Sequence, residues 1–239
     1  MRILLCDHFP GLLPEYIPSY ESMFMRLFDA LGVGMKYEVY NTIDGELPPL
    51  DGNGEIHLIT GSNQGAYDDT PWIKALLEWI VSANALGMKM VGICFGHQAI
   101  AQALGGEVKR AAVGWGTGIR ESSVMGEGLR YFPSGVMRLM YNHHDQVMRL
   151  PEGAVRLATS EFCPNEAFSV GDNILSFQGH PEYVVSYAVH LLMNFAQDEP
   201  LQVRTVALRS LGLHIHDGST VARWIVDRLG FGSERQGFK

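Results

Sequence analysis

Met88-Lys89-Met90-Val91-Gly92-Ile93-Cys94-Phe95-Gly96-His97-Gln98 is the stretch that decides the fold. Residues 88–93 form a short apolar run of strand type. A helical pattern follows at once over residues 96–104 and stops at Gly105-Gly106. The same alternation fills the chain before it. Strand-like runs occupy residues 3–6, 36–40 and 55–60. A helical pattern over residues 20–31 puts Met23, Leu27 and Leu31 on one face and ends at Gly32. Another begins at Pro71 and runs to residue 86, with Trp72, Leu76, Ile80 and Ala83 as a core-facing stripe. Pro48 and Pro49 break the chain between the two. Such alternation predicts a parallel sheet with helices on both faces.

Residues 107–178 change character. They are β-rich and glycine-punctuated, with a hairpin expected at Val170-Gly171-Asp172-Asn173. Helical patterns return at residues 184–197 and 219–229, the latter capped by Asp217 or Ser219. The last residues, 232–239, are polar and are expected to fray. With no repeat and no linker, residues 1–239 read as one α/β domain. It has an open, mostly parallel central sheet and a helical extension from about residue 200 to 239.

Of 239 residues, 46% are hydrophobic and 18% charged, which excludes disorder as the main state. Lys and Arg number 18 against 26 Asp and Glu, a formal net charge of −8. That balance argues against nucleic acid as a partner, and no polybasic cluster addresses an anionic membrane. No apolar run approaches the roughly 18 residues of a membrane span. Asp7 interrupts the N-terminal run too early for a signal peptide. Cys6, Cys94 and Cys163 are odd in number and far apart, so they make neither a disulfide framework nor a zinc site. A reducing, cytoplasmic setting follows. The histidines have no metal-ligand spacing, and neither metal nor cofactor is expected.

The chemistry centres on Gly92-Ile93-Cys94-Phe95-Gly96. A strand-to-helix turn holds a nucleophile in a strained conformation, and glycines on either side relieve crowding. The turn places Cys94 at a helix N-terminus, which favours a thiolate. It aims the Phe95 N–H where an oxyanion would form. Gln178-Gly179-His180-Pro181-Glu182 supplies a base, His180, and a carboxylate to orient it, Glu182. Being two apart, they would share one side of an extended segment. Thr60-Gly61-Ser62-Asn63 ends the preceding strand, so its tip lies at the carboxyl edge of the sheet where ligands bind.

These motifs resemble the class I, triad-type glutamine amidotransferase domain, over roughly residues 1–195. The look is closest to the guanylate synthase amidotransferase group, which has an aromatic-glycine turn like Trp115-Gly116. The resemblance implies a flavodoxin-like α/β fold, with Cys94 as nucleophile, His180 as base and Glu182 as orienting acid. Backbone donors at Gly61, Ser62 and Phe95 would form the oxyanion hole. Gln98, and His143 and Asp145 within Asn142-His143-His144-Asp145-Gln146-Val147, would lie at the substrate. The implied reaction hydrolyses the γ-carboxamide of glutamine through a cysteine thioester, releasing ammonia and glutamate. A separate synthase subunit would then receive the ammonia. Two alternatives stand beside it: a γ-glutamyl hydrolase or peptidase working alone, and a non-catalytic glutamine- or partner-binding module. A cysteine-elbow α/β-hydrolase is a rival fold, but there the acid precedes the histidine. One departure bears on the site. The turn reads Gly61-Ser62-Asn63, where many members carry proline at the third position, so proline does not stiffen it.

Overall fold

The alternation in the first 105 residues folds as β1 (Arg2–Leu5), α1 (Tyr20–Asp29), β2 (Glu38–Asn41), β3 (Ile56–Ile59), α2 (Pro71–Ala85), β4 (Lys89–Ile93) and α3 (Phe95–Ala103). The structure is a computed structural model that describes residues 1–9, 11–196 and 199–230. Next come β5 (Glu107–Arg110), β6 (Gly116–Val124), β7 (Val136–His143), β8 (Asp145–Arg149), β9 (Ala154–Thr159), β10 (Ala167–Val170) and β11 (Ile174–Phe177). The chain closes with α4 (Val185–Asn194), α5 (Leu201–Leu213) and α6 (Gly218–Leu229).

Nine strands form one sheet in the order β2-β1-β3-β4-β11-β10-β9-β6-β7. The sheet is parallel from β2 through β11. Beyond β11 it continues antiparallel, starting with the expected hairpin of β10 and β11. β5 and β8 pair separately. Strands β1, β3 and β11 are buried at every residue, which is why they read as continuous apolar runs. Their side chains alternate between two cores. Ile3, Leu5, Leu58, Val91 and Phe177 pack with α1 and α6 on one face. Leu4, Ile59, Met90 and Ile174 pack with α2 and α3 on the other. Thus helices cover both faces. Among the described residues no helix is long and apolar enough to cross a membrane.

Several local expectations shift. The buried face of α1 is Tyr20, Met23, Phe24 and Phe28, with Leu27 and Leu31 only partly buried at its margin. The helix turns these aromatic rings into the core that it shares with α6. In α2, Ile73 and Trp79 are buried while Trp72 is not. The indole N–H of Trp79 donates to the Pro48 carbonyl at 2.8 Å, tying the proline break to the core. The strand expected at residues 36–40 is β2, which starts at Glu38 opposite Arg2. Asp217 is the N-cap residue of α6, which opens at Gly218, but its carboxylate makes no capping bond. It accepts the Arg138 backbone N–H at 2.7 Å instead. α5 gave no stripe in the sequence because only Ala207 and Leu211 are buried. It sits close on β6 because Gly118 has no side chain; a Cβ there would stand 2.7 Å from the Ala207 Cα. The helix expected at residues 184–197 is α4, which already ends at Asn194; residue 197 and the tail 232–239 lie outside the described residues.

Candidate active site

Between β4 and α3 a single residue, Cys94, makes the turn. Its φ of +52° and ψ of −101° lie where side chains are rarely tolerated. Such strain costs about 1–3 kcal/mol and persists only when neighbours enforce it. Here the Cys94 N–H donates to the Phe177 carbonyl at 2.9 Å, the Gln98 N–H to the Cys94 carbonyl at 3.1 Å, and the Gly96 N–H to the Thr60 carbonyl at 3.1 Å. Both flanking glycines are required for space. A Cβ on Gly92 would lie 2.5 Å from the Gly96 carbonyl oxygen, and one on Gly96 would strike the Ile59 carbonyl. Cys94 is 7% exposed. Phe95 opens α3, so its N–H has no acceptor within the helix.

His180 stands beyond the end of β11, the strand next to β4. Its backbone N–H donates to the Met140 carbonyl on β7 at 2.8 Å. Pro181 and Glu182 form a turn, so the expected extended segment is not found. The turn still brings His180 Nδ1 to 2.7 Å from Glu182 Oε1, with both side chains buried. A carboxylate only accepts, so Nδ1–H is the donor and Nε2 is left with its lone pair or a second proton. Nε2 is buried with no hydrogen-bond partner. Glu182 Oε1 also accepts the Tyr20 hydroxyl at 2.9 Å. Tyr183 stacks on the imidazole, centroids 3.9 Å apart and planes within 13°. His216 Nε2 lies 3.0 Å from the His180 carbonyl oxygen. Burial alone disfavours the imidazolium, but the Glu182 carboxylate and the Cys94 sulfur outweigh it and hold His180 up to about 10.

The Gly61 turn follows β3 on the other side of β4. Asp7 braces it: Oδ2 accepts the Asn63 N–H at 3.0 Å and Oδ1 the Phe9 N–H at 2.8 Å. The Thr60 hydroxyl accepts the Cys6 N–H and donates to the Gly61 carbonyl, at 3.0 and 3.1 Å. These bonds supply the stiffness that proline gives elsewhere. A Cβ on Gly61 would meet Tyr20 Oη at 2.7 Å and His180 Cε1 at 3.2 Å, so this turn and the His180 corner touch through the missing side chain.

Gln98, His143 and Asp145 come to the same cleft. The Gln98 amide N–H groups are already spent on the Asp145 carbonyl at 2.8 Å and Gln178 Oε1 at 3.1 Å, so only its oxygen is free to meet a substrate. Gln178 in turn aims its amide at Cys94 Sγ, 3.6 Å away. Burial pushes His143 down to about 3, and its Nδ1 lies 3.0 Å from the Asp145 carbonyl oxygen. The Asp145 carboxylate faces His144 Nδ1 at 3.0 Å. Ser62, Cys94, Gln98, His143 and Asp145 line a cavity of about 110 Å³. A second lobe, of about 310 Å³, shares Asn63, Trp115 and Asn142 with it. Among the described residues no cluster of three or more His, Cys, Asp or Glu could hold a metal ion. Sequence reading missed Tyr20, Asp7, Tyr183 and His216. Tyr183 was findable, being next to Glu182; Tyr20 lies 162 residues from it and carries no local signal.

The model of the class-I glutamine amidotransferase family matches residues 13–198. Gamma-glutamyl peptidase 3 of Arabidopsis thaliana is 36% identical over 174 residues, 69% of each chain. The crystal structure of a glutamine amidotransferase from Thermotoga maritima superposes with a TM-score of 0.70 at 22% identity, covering 95% of both chains. A protein of the GMP synthase subunit type from Thermoplasma acidophilum gives a TM-score of 0.56 at 20% identity, over 90% of this chain and 98% of its own. At those identities the two structures speak for the fold. With a matching family model across most of its length, the chain belongs to the class-I glutamine amidotransferase family.

Proposed function

We propose that Cys94, His180 and Glu182 act as nucleophile, base and orienting acid in hydrolysis of the γ-carboxamide of glutamine or of a related γ-glutamyl amide. One observation carries the reading: a cysteine held at φ +52° beside a buried imidazole that Glu182 orients at 2.7 Å. With its proton held on His180, the pair leaves the sulfur as nucleophile. Cys94 Sγ attacks the amide carbon, and the N–H groups of Phe95 and of Gly61 or Ser62 stabilise the oxyanion. His180 gives its proton to the departing nitrogen, leaving a γ-glutamyl thioester. His180 then takes a proton from water, whose oxygen displaces the sulfur and frees glutamate. Gln98 serves this site mainly by positioning, since its amide is committed to Gln178 and Asp145.

Hydrolysis of glutamine to feed ammonia to a separate synthase subunit is the first reading. A γ-glutamyl peptidase working alone is the second, favoured by the 36% identity to a relative of that name. A module that only binds glutamine has no use for a strained Cys94. We place the chain in the reducing cytoplasm, which suits three free, buried cysteines, and read residues 1–239 as one working domain. The test is alkylation by a glutamine-like diazo-ketone, combined with a panel of glutamine and γ-glutamyl amides. Labelling of Cys94 that glutamine prevents is expected. An unlabelled Cys94 with no glutamate released from any member of the panel would overturn the proposal.

A further inference from the structure

The cleft does not end at the sulfur. Its second lobe, of about 310 Å³, opens across Asn63, Trp115 and Asn142. The leaving nitrogen takes its proton from His180, and Tyr183, flat against that imidazole, is a wall of this lobe. Through Tyr183 this lobe adjoins the imidazole that protonates the leaving nitrogen, and we read it as the leaving-group side, with the cavity of Gln98, His143 and Asp145 for the γ-glutamyl half. Ammonia is the size of a water molecule, whose share of liquid volume is about 30 Å³. The lobe is far larger than that leaving group needs.

Its lining mixes apolar and aromatic side chains, Phe9, Leu12, Tyr183, Tyr187 and Leu191, with the polar Asn63, Asn142 and Glu199. Glu199 is the one charged residue among the described residues that line it. That residue is 6% exposed, with the Thr117 hydroxyl 3.4 Å from its carboxylate. Burial raises its carboxyl above the ordinary value, and the Thr117 hydroxyl and Arg204 offset that only in part, so a cation in the lobe would favour the ionised form. A buried carboxylate among aromatic walls sorts ligands by charge. An organic cation gains attraction from Glu199 and from the ring faces, whereas a second carboxylate is repelled and loses its hydration.

Resting on the thioester reading above, we propose that this lobe is a leaving-group subsite for amines whose apolar arm carries a positive charge. The substrate class is then the γ-glutamyl amide of a diamine or a similar cationic amine, in preference to a γ-glutamyl amino acid or peptide. In the balanced step the Cys94 S–C bond forms and the C–N bond breaks. The amine departs with the His180 proton, and water then yields glutamate and restores the thiol. No co-reactant other than water is needed.

The experiment compares kcat/KM on the purified full chain for glutamine and three γ-glutamyl amides of similar arm length. Their arms end in ammonium (5-aminopentylamine), methyl (pentylamine) and carboxylate (6-aminohexanoate). The ammonium arm is expected to exceed glutamine and the carboxylate arm by about tenfold or more. Glu199→Gln should bring the ammonium-to-carboxylate ratio down by about tenfold. Leu12→Trp, at a partly exposed loop position, should raise KM for the arm-bearing amides more than for glutamine. Equal use of the two charged arms, or a ratio untouched by Glu199→Gln, overturns the subsite. So does cleavage of glutamine with every arm refused, a result that leaves the thioester reading standing. No cleavage of any compound, with Cys94 unlabelled by the diazo-ketone, overturns both.

Discussion

Cys94 and His180 share one cleft but are held by opposite means. Cys94 is fixed by backbone: a single-residue turn, three main-chain hydrogen bonds and two glycines that clear space around it. His180 is fixed mostly by side chains: Glu182 and Tyr183 hold its ring, Tyr20 holds the carboxylate of Glu182, and the Met140 carbonyl and His216 hold its backbone. The first device is built of main chain and fails when an atom is added. The second is built of side chains and fails when an atom is removed.

The sharpest break comes at the sulfur. Cys94→Ala should cost at least about 10⁴ in turnover, since it removes the proposed nucleophile. Cys94→Gly should be equally inactive yet more stable than Cys94→Ala by about 1 kcal/mol, because glycine accepts a positive φ without strain. Denaturant midpoints of the two variants check this, and a less stable glycine variant would mean that the elbow stores no strain.

His180→Ala should lower turnover by about 10² to 10⁴, the range for loss of a general base. Glu182→Gln should cost less, as it orients the ring and moves no proton. The raised His180 also leaves a mark on stability. Folding holds its proton more tightly than the unfolded chain, whose imidazole titrates near 6.5. Its contribution is thus fully present below about 6.5 and is lost as pH rises toward about 10. Thermal midpoints measured across that window should fall in the wild type more steeply than in His180→Ala.

Gly96→Ala should destabilise by about 3 kcal/mol, because its Cβ meets the fixed backbone of Ile59. Chemical denaturation would read this directly. The mildest change is on the other side of the comparison. Tyr20→Phe removes one hydrogen bond to Glu182 and should slow turnover by about tenfold while the fold stands. Gly61→Ala should then cost less in the Tyr20→Phe background than in the wild type, because the Tyr20 hydroxyl is the atom that the new methyl meets. Additive effects in that cycle would separate the Gly61 turn from the His180 corner.

The same contrast explains what was legible in the sequence. The elbow was readable because strand, cysteine, glycines and helix all fall within residues 88–106. The pairing of His180 with Glu182 was readable because both lie within residues 178–182, though its geometry was not: Pro181 turns the segment where alternation suggested extension. Tyr20 was placed in a helix whose chosen stripe left it out, and nothing nearby announced a partner at Glu182. Asp7 looked like an interruption of an apolar run and is the tether of the Gly61 turn. α5 escaped because a helix with two buried residues leaves no period to see. The order of the antiparallel strands was hidden for the same reason that any pairing of distant segments is: alternation within a strand names a face, not a neighbour.

The three site-bearing strand ends belong to β3, β4 and β11, which lie side by side in one hydrogen-bonded ladder. No subglobal opening can part the sulfur from the imidazole without also breaking the middle of the sheet. The amide of Cys94, donating to the β11 carbonyl of Phe177, is therefore expected to exchange with deuterium only through whole-molecule unfolding. Loss of activity and loss of structure should follow a single time course on heating, with no folded but inactive species between them.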